Sequence, residues 1–323
     1  MKLSREQLMN TASATGFRPD VLEKAILLLD LLERLQDHPS LEGKLVLKGG
    51  TALNLFYFDM PRLSVDIDLN YIGAAGRETM LSERPDIKKA IQAVCSRESF
   101  TITRIPKEHA GGKWRLRYES ATGEGGNLEL DINYMYRLPL WPIVSKDSNI
   151  LGSFQAKEIP LVDIHELAAG KLAALLARHQ ARDLFDNHRL LRSGMLDHKR
   201  IRLAFVVYGA MNRRDWRTVS IEDVDFEEEE IERQLVPTLN RDIVTGIESP
   251  RAFGTTLVTE CKEALSVVLP FTEQESEFLD LLLDNGVIKP ELLTSDIDMQ
   301  ERIASQPMLA WKALNVKQHG GEG

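Results

Sequence analysis

The sequence has only two cysteines in 323 residues, Cys95 and Cys261, and they are far apart in the chain. A disulfide framework or a zinc site needs more cysteines at shorter spacings, so both are predicted to be unpaired thiols. The chain also lacks an uninterrupted apolar run long enough to span a membrane. The opening stretch MKLSREQLMNTASATG lacks the apolar core of a signal peptide, which predicts a cytoplasmic protein.

Positive charge is scarce overall, because 40 Lys and Arg face 49 Asp and Glu and leave a net charge of -9. This balance argues against a wholly basic nucleic-acid binder. The charge is uneven, however. Arg178–Arg217 holds ten basic against four acidic residues, whereas Glu222–Gln234 holds eight acids and one arginine. The basic segment is either a solvated surface or an RNA-binding surface, and in the second case Arg213, Arg214 and Arg217 are expected to contact phosphates.

A group of structural signals lies between residues 18 and 71. Arg18–Gln36 carries leucine and isoleucine at helical spacing, which predicts an amphipathic helix. The stretch GKLVLKGG predicts a buried strand that ends at glycines, and TALNLFYF predicts a helix with Thr51 near its N-cap. In LSVDIDLNY, period-two alternation puts Asp66 and Asp68 on one strand face and the apolar side chains on the other. Two ionised carboxylates this close repel each other, and a bound cation would relieve the repulsion.

A second alternating pair of segments follows. KWRLRYES and NLELDINYMY flank ATGEGG, whose glycines allow a tight reversal, so Lys113–Tyr136 is predicted to be a β-hairpin. If the returning strand lies beside the first aspartate strand, Asp131 becomes a third carboxylate at the same place. His109, close to two glycines, is predicted to lie in a mobile loop and receives no role. From about Asp163 onward the pattern is mainly helical.

The order of these signals has chemical meaning. A strand that ends in Gly-Gly and leads into a helix exposes backbone N–H groups beside the positive end of the helix dipole, and such groups bind phosphate. Carboxylates separated by one residue, with a third on a neighbouring strand, form a hard oxygen site that suits Mg²⁺ carrying a triphosphate. Each signal alone is weak. Together, in this order, they predict nucleotidyl transfer.

The stretch LKGGTALNL…RLSVDIDL resembles the nucleotidyltransferase toxins of the AbiEii/AbiGii type, and ELAAGKLAALLARHQARDLFD (residues 166–186) resembles the helical motif of that family. The resemblance implies a DNA-polymerase-β-like nucleotidyltransferase fold, Mg²⁺ dependence with Mn²⁺ as an alternative, and an NTP substrate. It assigns phosphate binding to Gly49, Gly50 and Thr51, metal binding to Asp66 and Asp68, and catalysis to these aspartates, Lys171 and Asp183. Asp131 joins the catalytic and metal-binding group on its strand pattern.

The residues of the second block also predict a site on their own. On one helix from Ile164, the side chains of Lys171, Arg178 and Arg182 would form a cationic stripe, while Leu167, Leu172 and Leu176 would face the core. Lys171 is then expected to offset triphosphate charge and Arg178 to bind nucleotide. The alternative is that the arginines pair with Asp183 or Asp186 in ordinary ion pairs. Near the first motif, Lys48 and Arg62 could touch nucleotide, but their own pattern predicts surface positions.

We therefore expect an α/β protein with a mixed-sheet nucleotidyltransferase domain in residues 1–150 and a mainly helical region in residues 151–323 that closes the cleft. The predicted reaction transfers NMP from NTP to an RNA end, preferably the 3′ end of tRNA. The alternatives are transfer to a small-molecule or protein hydroxyl and nucleotide binding without turnover. The resemblance also implies the toxin half of a toxin–antitoxin or phage-defence pair, with an antitoxin, often a winged-helix repressor, as partner. The lack of a long apolar run predicts no membrane association.

Overall fold

The computed structural model describes residues 3–106 and 110–319, so His109 lies outside the described residues. The chain forms two compact units. The sheet unit consists of Met1–Arg137, Ile143–Val162 and Arg233–Glu248, and the helical unit consists of Leu138–Pro142, Asp163–Glu232 and Ser249–Gly323. The division differs from a single cut at residue 150, because the chain returns to the sheet unit twice after first leaving it.

Among the described residues, the strands of the sheet unit form one seven-stranded mixed sheet in the order β3-β4-β5-β2-β1-β7-β6. The strands are β1 (Leu45–Lys48), β2 (Asp66–Tyr71), β3 (Thr101–Arg104), β4 (Gly111–Glu119), β5 (Gly125–Asn133), β6 (Val144–Lys146) and β7 (Ile159–Leu161). Strand β2 is parallel to β5, and β1 is parallel to β7, whereas the other neighbours are antiparallel. The predicted mixed sheet is confirmed.

The helices precede, connect and follow these strands. In chain order the described helices are α1 (Arg5–Thr15), α2 (Pro19–Gln36), α3 (Gly49–Ala52), α4 (Arg77–Arg97), α5 (Ile164–Ala177), α6 (Ala181–Arg192), α7 (His198–Ala210), α8 (Glu228–Glu230), α9 (Arg241–Thr245), α10 (Pro250–Ala264), α11 (Glu273–Asn285), α12 (Ile297–Ala304) and α13 (Pro307–His319). The predicted helical region in the second half of the chain is confirmed. No described helix combines the length and apolar composition that a bilayer crossing needs.

The helix predicted before the first motif is confirmed as α2, which begins with Pro19 in its first turn. The helix predicted at Thr51 begins earlier, at Gly49, with Lys48 as the N-cap residue and no side-chain cap. Thr51 does not cap this helix because its hydroxyl donates to the backbone carbonyl of Asp66 instead. Beyond α3 the helix continues as a π-helix over Leu53–Tyr57.

Alternation along the central strands separates a polar face of the sheet from an apolar face. Ile67 and Leu69 of β2 are buried, as are the alternate residues of β5, and α4 packs on this apolar face through a 2.8 Å hydrogen bond from Tyr71 Oη to Glu83 Oε2. The predicted hairpin is confirmed as β4 and β5. Strand β5 lies directly beside β2, so the carboxylates of both strands share the polar face.

The helix predicted to run from Ile164 through the second motif is wrong beyond its first half. Helix α5 begins at Ile164, with the Asp163 side chain accepting from the His165 N–H, but it ends at Ala177. Arg178 is extended, with φ -156° and ψ 137°. A new helix, α6, starts three residues later, so the predicted stripe along a single helix does not form. The three leucines expected to face the core, Leu167, Leu172 and Leu176, are buried.

The two cysteines, Cys95 and Cys261, are buried free thiols, as predicted. Burial raises the pKa of each thiol to about 12, so neither is a thiolate at neutral pH.

Candidate active site

The predicted carboxylates meet on the polar face of the sheet. Asp68 on β2 stands directly opposite Asp131 on β5, and Asp66 stands opposite Glu129. Neighbouring strands lie about 4.8 Å apart, so side chains in register on one face are close together. The pKa of Asp131 is raised, first by burial and then by the negative charge of Asp68. The sheet therefore holds two carboxylates side by side at a cost in electrostatic free energy, as a cation-binding position would.

The glycine turn approaches this pair closely. Gly49 has φ +76°, and a Cβ built on it would lie 2.5 Å from Asp68 Oδ2, so only glycine fits. Thr51 is fully buried, and its hydroxyl donates to the Asp66 carbonyl at 2.5 Å. The side chain of Thr51 therefore fastens the turn to β2. Asn54 Nδ2 donates to the Gly50 carbonyl at 2.9 Å and stabilises the same turn.

Two lysines flank the carboxylate pair. Lys48 on β1 is opposite Asp68, and Lys113 on β4 is opposite Asp131, so one row across four strands reads Lys48, Asp68, Asp131, Lys113. The pKa of Lys113 is raised, first by its hydrogen bond to Glu129 and also by Asp66 and Asp68. Lys48 is half-buried rather than on the open surface. Sequence reasoning missed Lys113, although alternation within the hairpin places it on the same face as Asp131.

The predicted surface position of Arg62 is wrong. Its side chain is buried, with 2 % of the residue exposed, and Nη1 donates to the Leu63 carbonyl at 3.1 Å. Its backbone also forms an isolated antiparallel bridge with Leu239. Arg62 therefore ties the loop before β2 to the chain segment that returns to the sheet unit after residue 232.

Lys171 and Asp183 meet within the helical unit. Lys171 Nζ lies 2.9 Å from Asp183 Oδ1 and 2.7 Å from Asp186 Oδ2, and the Arg178 guanidinium lies 3.0 Å from Asp183 Oδ2. The two carboxylate side chains are 4 % and 0 % exposed. Asn187 Nδ2 completes the cluster by donating to the carbonyls of Lys171 and Asp183.

This cluster changes the expected role of Lys171. Burial opposes ionisation of Asp183, but Lys171 and Arg178 outweigh it, and the pKa of Asp183 lies below its ordinary value. Lys171 forms ion pairs with two carboxylates. Its ammonium group is therefore engaged within the helical unit and does not stand free to offset triphosphate charge. Sequence reasoning considered Asp186 only as a partner of the arginines, yet its spacing of three from Asp183 puts both acids on one side of α6.

Two of the three arginines expected to bind RNA are held by other residues of the helical unit. Arg214 pairs with Asp223 at 2.9 Å and also donates to the Leu176 carbonyl. Arg217 pairs with Asp215 at 2.7 Å and with two further aspartates, Asp280 and Asp284. These pairings favour the alternative that the basic segment serves the structure of the helical unit.

The donor set on the sheet fits a hard divalent cation, even though the described residues contain no ready-made group of three or more His, Cys, Asp or Glu side chains in metal-binding arrangement. Mg²⁺ takes oxygen ligands and is held in proteins by one or two carboxylates together with substrate phosphates and water. Asp68 and Asp131 in register supply two carboxylates, and Asp66, two residues along β2 on the same face, adds a third.

Comparison with known proteins places these features in context. The family model described as nucleotidyl transferase AbiEii toxin, type IV TA system, matches residues 30–255. No curated protein matches the sequence significantly. Among solved structures, the chain is similar to MenT4, a nucleotidyltransferase toxin from Mycobacterium tuberculosis H37Rv, at 16 % identity and a TM-score of 0.60 over 96 % of this chain and 99 % of that one. At this identity the likeness bears on the fold, which is the predicted nucleotidyltransferase fold.

The approach of Gly49 to Asp68 can be tested against a matched glycine. Gly43 also has a positive φ, +67°, but a Cβ on it would have nothing within 4 Å. Both Gly43→Ala and Gly49→Ala should cost about 1 kcal/mol of backbone strain in urea unfolding. Only Gly49→Ala should displace the Asp68 carboxylate, which we expect to slow nucleotidyl transfer about 10²-fold. Equal transfer rates in the two variants would refute the close approach.

Removal of Lys171 from its ion-pair cluster should cause a large loss of stability that a second substitution partly restores. Lys171→Met leaves two buried carboxylates without their shared cation and should lower the free energy of unfolding by about 3–5 kcal/mol. Adding Asp186→Asn removes one of these charges and should restore part of the loss. Arg178→Met is the control, because its side chain is 57 % exposed and its ion pair should be worth less than about 1 kcal/mol. An unfolding midpoint for Lys171→Met equal to that of wild type would contradict the pairing.

Proposed function

The chain belongs to the AbiEii family of nucleotidyltransferase toxins, and from this premise we propose that it transfers NMP from an NTP to an RNA end, with the 3′ end of tRNA as the preferred acceptor. The observation that carries the proposal is the pairing of Asp68 with Asp131 beside the glycine turn at Gly49. Carboxylates next to backbone that can approach a phosphate are the groups that nucleotidyl transfer requires.

We propose that Asp66, Asp68 and Asp131 hold Mg²⁺, or Mn²⁺ in its place. When bound, the metal would neutralise charge on the phosphates and lower the pKa of the attacking hydroxyl. The ladder between β2 and β5 prepares the site by holding the carboxylates together despite their repulsion. Lys48 and Lys113 limit that repulsion without occupying the position between the acids, since each lies on a strand outside the pair.

The glycine turn is proposed to bind the phosphates through its backbone. Gly49 and Gly50 begin α3, whose first N–H groups have no partner within the helix. Such groups donate to phosphate oxygens and favour negative charge. Thr51 is proposed to contribute its backbone position alone, because its hydroxyl is engaged with Asp66.

In the helical unit, Asp183 is the proposed catalytic group and Lys171 its positioning residue. Lys171 keeps Asp183 ionised and fixes its orientation from one side, and Arg178 does so from the other. The exposed Arg178 remains a candidate for nucleotide binding.

The proposed acceptor, the 3′ end of tRNA, suggests the biological role of the protein. Modification of tRNA ends would stop translation, which is a toxic effect, and an antitoxin is then the expected partner. We propose that the protein acts on RNA in the cytoplasm and that it serves in phage defence. The other acceptors, a small-molecule or protein hydroxyl, would give a different labelled product, and a regulator without turnover would bind NTP and label nothing.

Incubation with labelled NTP, Mg²⁺ and total RNA tests the proposed reaction. Wild type should label RNA of tRNA size. Asp66→Ala and Asp68→Ala should each reduce labelling by about 10²-fold or more, the loss expected for an electrostatic catalytic group, and should relieve growth arrest. Asp86→Ala, an exposed acid on α4, is the charge-matched control and should label RNA as wild type does. Undiminished toxicity of the Asp66 and Asp68 double variant would refute the catalytic role.

The metal site makes a separate prediction about stability. Because the pKa of Asp131 is raised in the folded state, its ionisation destabilises the protein as pH rises through that value. Metal-free Asp131→Asn should therefore melt at a higher temperature than wild type at pH 7, and the difference should vanish below about pH 4. Mg²⁺ should raise the melting temperature of wild type more than that of the variant. Equal Mg²⁺ shifts would exclude Asp131 as a ligand.

A further inference from the structure

The polar face of the sheet continues beyond the carboxylates as a strip of cations. Along β4, Lys113, Arg115 and Arg117 are exposed and alternate with buried apolar residues. Arg115 is opposite Arg104 on the neighbouring strand β3. We call these four residues, Lys113, Arg115, Arg117 and Arg104, the β4 strip. It begins one strand away from Asp131 and runs toward one end of β4.

Acidic side chains neutralise only part of this strip. Glu129 accepts from Lys113 at 2.7 Å and from Arg115 at 3.4 Å. Within residues 3–106 and 110–319, Arg104 and Arg117 form no ion pair, and Arg117 lies over Gly125, where a side chain is absent. The exposed acid at the end of the same face of β4 is Glu119. The strip therefore keeps a positive excess on a protein whose net charge is -9.

Protection of the sheet edge explains only part of this arrangement. Charged residues on an edge strand prevent unwanted strand pairing, and Arg104 on β3 serves that purpose. Strand β4, however, is paired on both sides. Like charges directly opposite each other, such as Arg104 and Arg115, also destabilise a sheet by a few tenths of a kcal/mol or more. The strip thus lowers the stability of the sheet slightly. Binding of an anionic ligand explains these cations better than edge protection does.

The position of the strip points to a polymer. Successive residues on one strand face are about 7 Å apart, so Arg117 is about 14 Å along β4 from Lys113. The strip therefore reaches well beyond the position at which the phosphates of a nucleotide would meet Asp68 and Asp131. A polyanion that reaches the carboxylates with one end and continues along β4 would contact every member of the strip.

We propose that the β4 strip binds the phosphate backbone of the acceptor RNA and leads its end to the Asp68 and Asp131 pair. This inference rests on the proposed transfer to RNA and names the surface that the acceptor uses. The β4 strip takes the place of the basic segment of the helical unit as the proposed RNA-binding surface, because Arg214 and Arg217 already have carboxylate partners. An acidic protein partner would meet the same cations, but RNA is favoured because the strip begins next to the proposed reacting groups.

The test compares the double variant Arg104→Gln, Arg117→Gln with wild type in binding to total tRNA across a range of salt concentrations. Both arginines are exposed, and neither is near the carboxylate pair in the strand register. At about 0.1 M salt the variant should bind tRNA at least about tenfold more weakly. The slope of log K against log salt should fall by about 1.5 to 2, because two phosphate contacts are lost. NTP affinity, measured separately without RNA, should match that of wild type.

The control is Lys88→Gln, Lys89→Gln, which removes the same charge from the exposed side of α4, on the apolar side of the sheet. Its tRNA affinity and salt slope should stay near those of wild type. If wild type binds and labels tRNA while the arginine variant keeps the same affinity and slope, RNA binding by the β4 strip is refuted and the proposed transfer to RNA stands. If wild type neither binds nor labels tRNA, both proposals fail. An equal loss in the lysine control would refute the strip in favour of a general charge effect.

Discussion

The repulsion between Asp68 and Asp131 is the constraint to which the neighbouring parts of the sheet unit are fitted. Two carboxylates opposite each other on parallel strands would separate if the backbone allowed it, but the ladder between β2 and β5 keeps them in register. Gly49 must then lack a side chain, because the Asp68 carboxylate occupies the space that a Cβ would need. The lysines on β1 and β4 stand at the outer ends of the same row and supply partial compensation.

Period-two alternation was enough to predict which side chains of the central strands face the core and which lie on the polar face of the sheet. It also predicted the hairpin and, conditionally, the position of Asp131. The condition was strand order, since alternation fixes the face of a residue and says nothing about its neighbour across the sheet. The row that includes Lys113 depends on the pairing of β4 with β5 and of β5 with β2. The hairpin supplied the first pairing, and the second is long-range.

The failures have physical causes of the same kind. The helix through the second motif was expected to continue because no glycine or proline interrupts residues 171–186, yet Arg178 is extended, and α6 turns back so that Lys171 reaches Asp183 and Asp186. Pairing of four charges overrides local helical preference here. Arg62 looked like a surface residue, yet its side chain is buried and its backbone pairs with Leu239, far along the chain. Carboxylates from α11 likewise account for Arg217.

The bond between Thr51 and the Asp66 carbonyl has a consequence for the entropy of binding. It joins the first turn of α3 to the start of β2, so the backbone that would meet phosphate and the strand that carries Asp66 and Asp68 cannot move independently. A ligand that contacts both would find them already held in place and would have little chain to order. Affinity for the nucleotide would then reflect mainly its own loss of freedom and the exchange of its hydration shell for fixed protein groups.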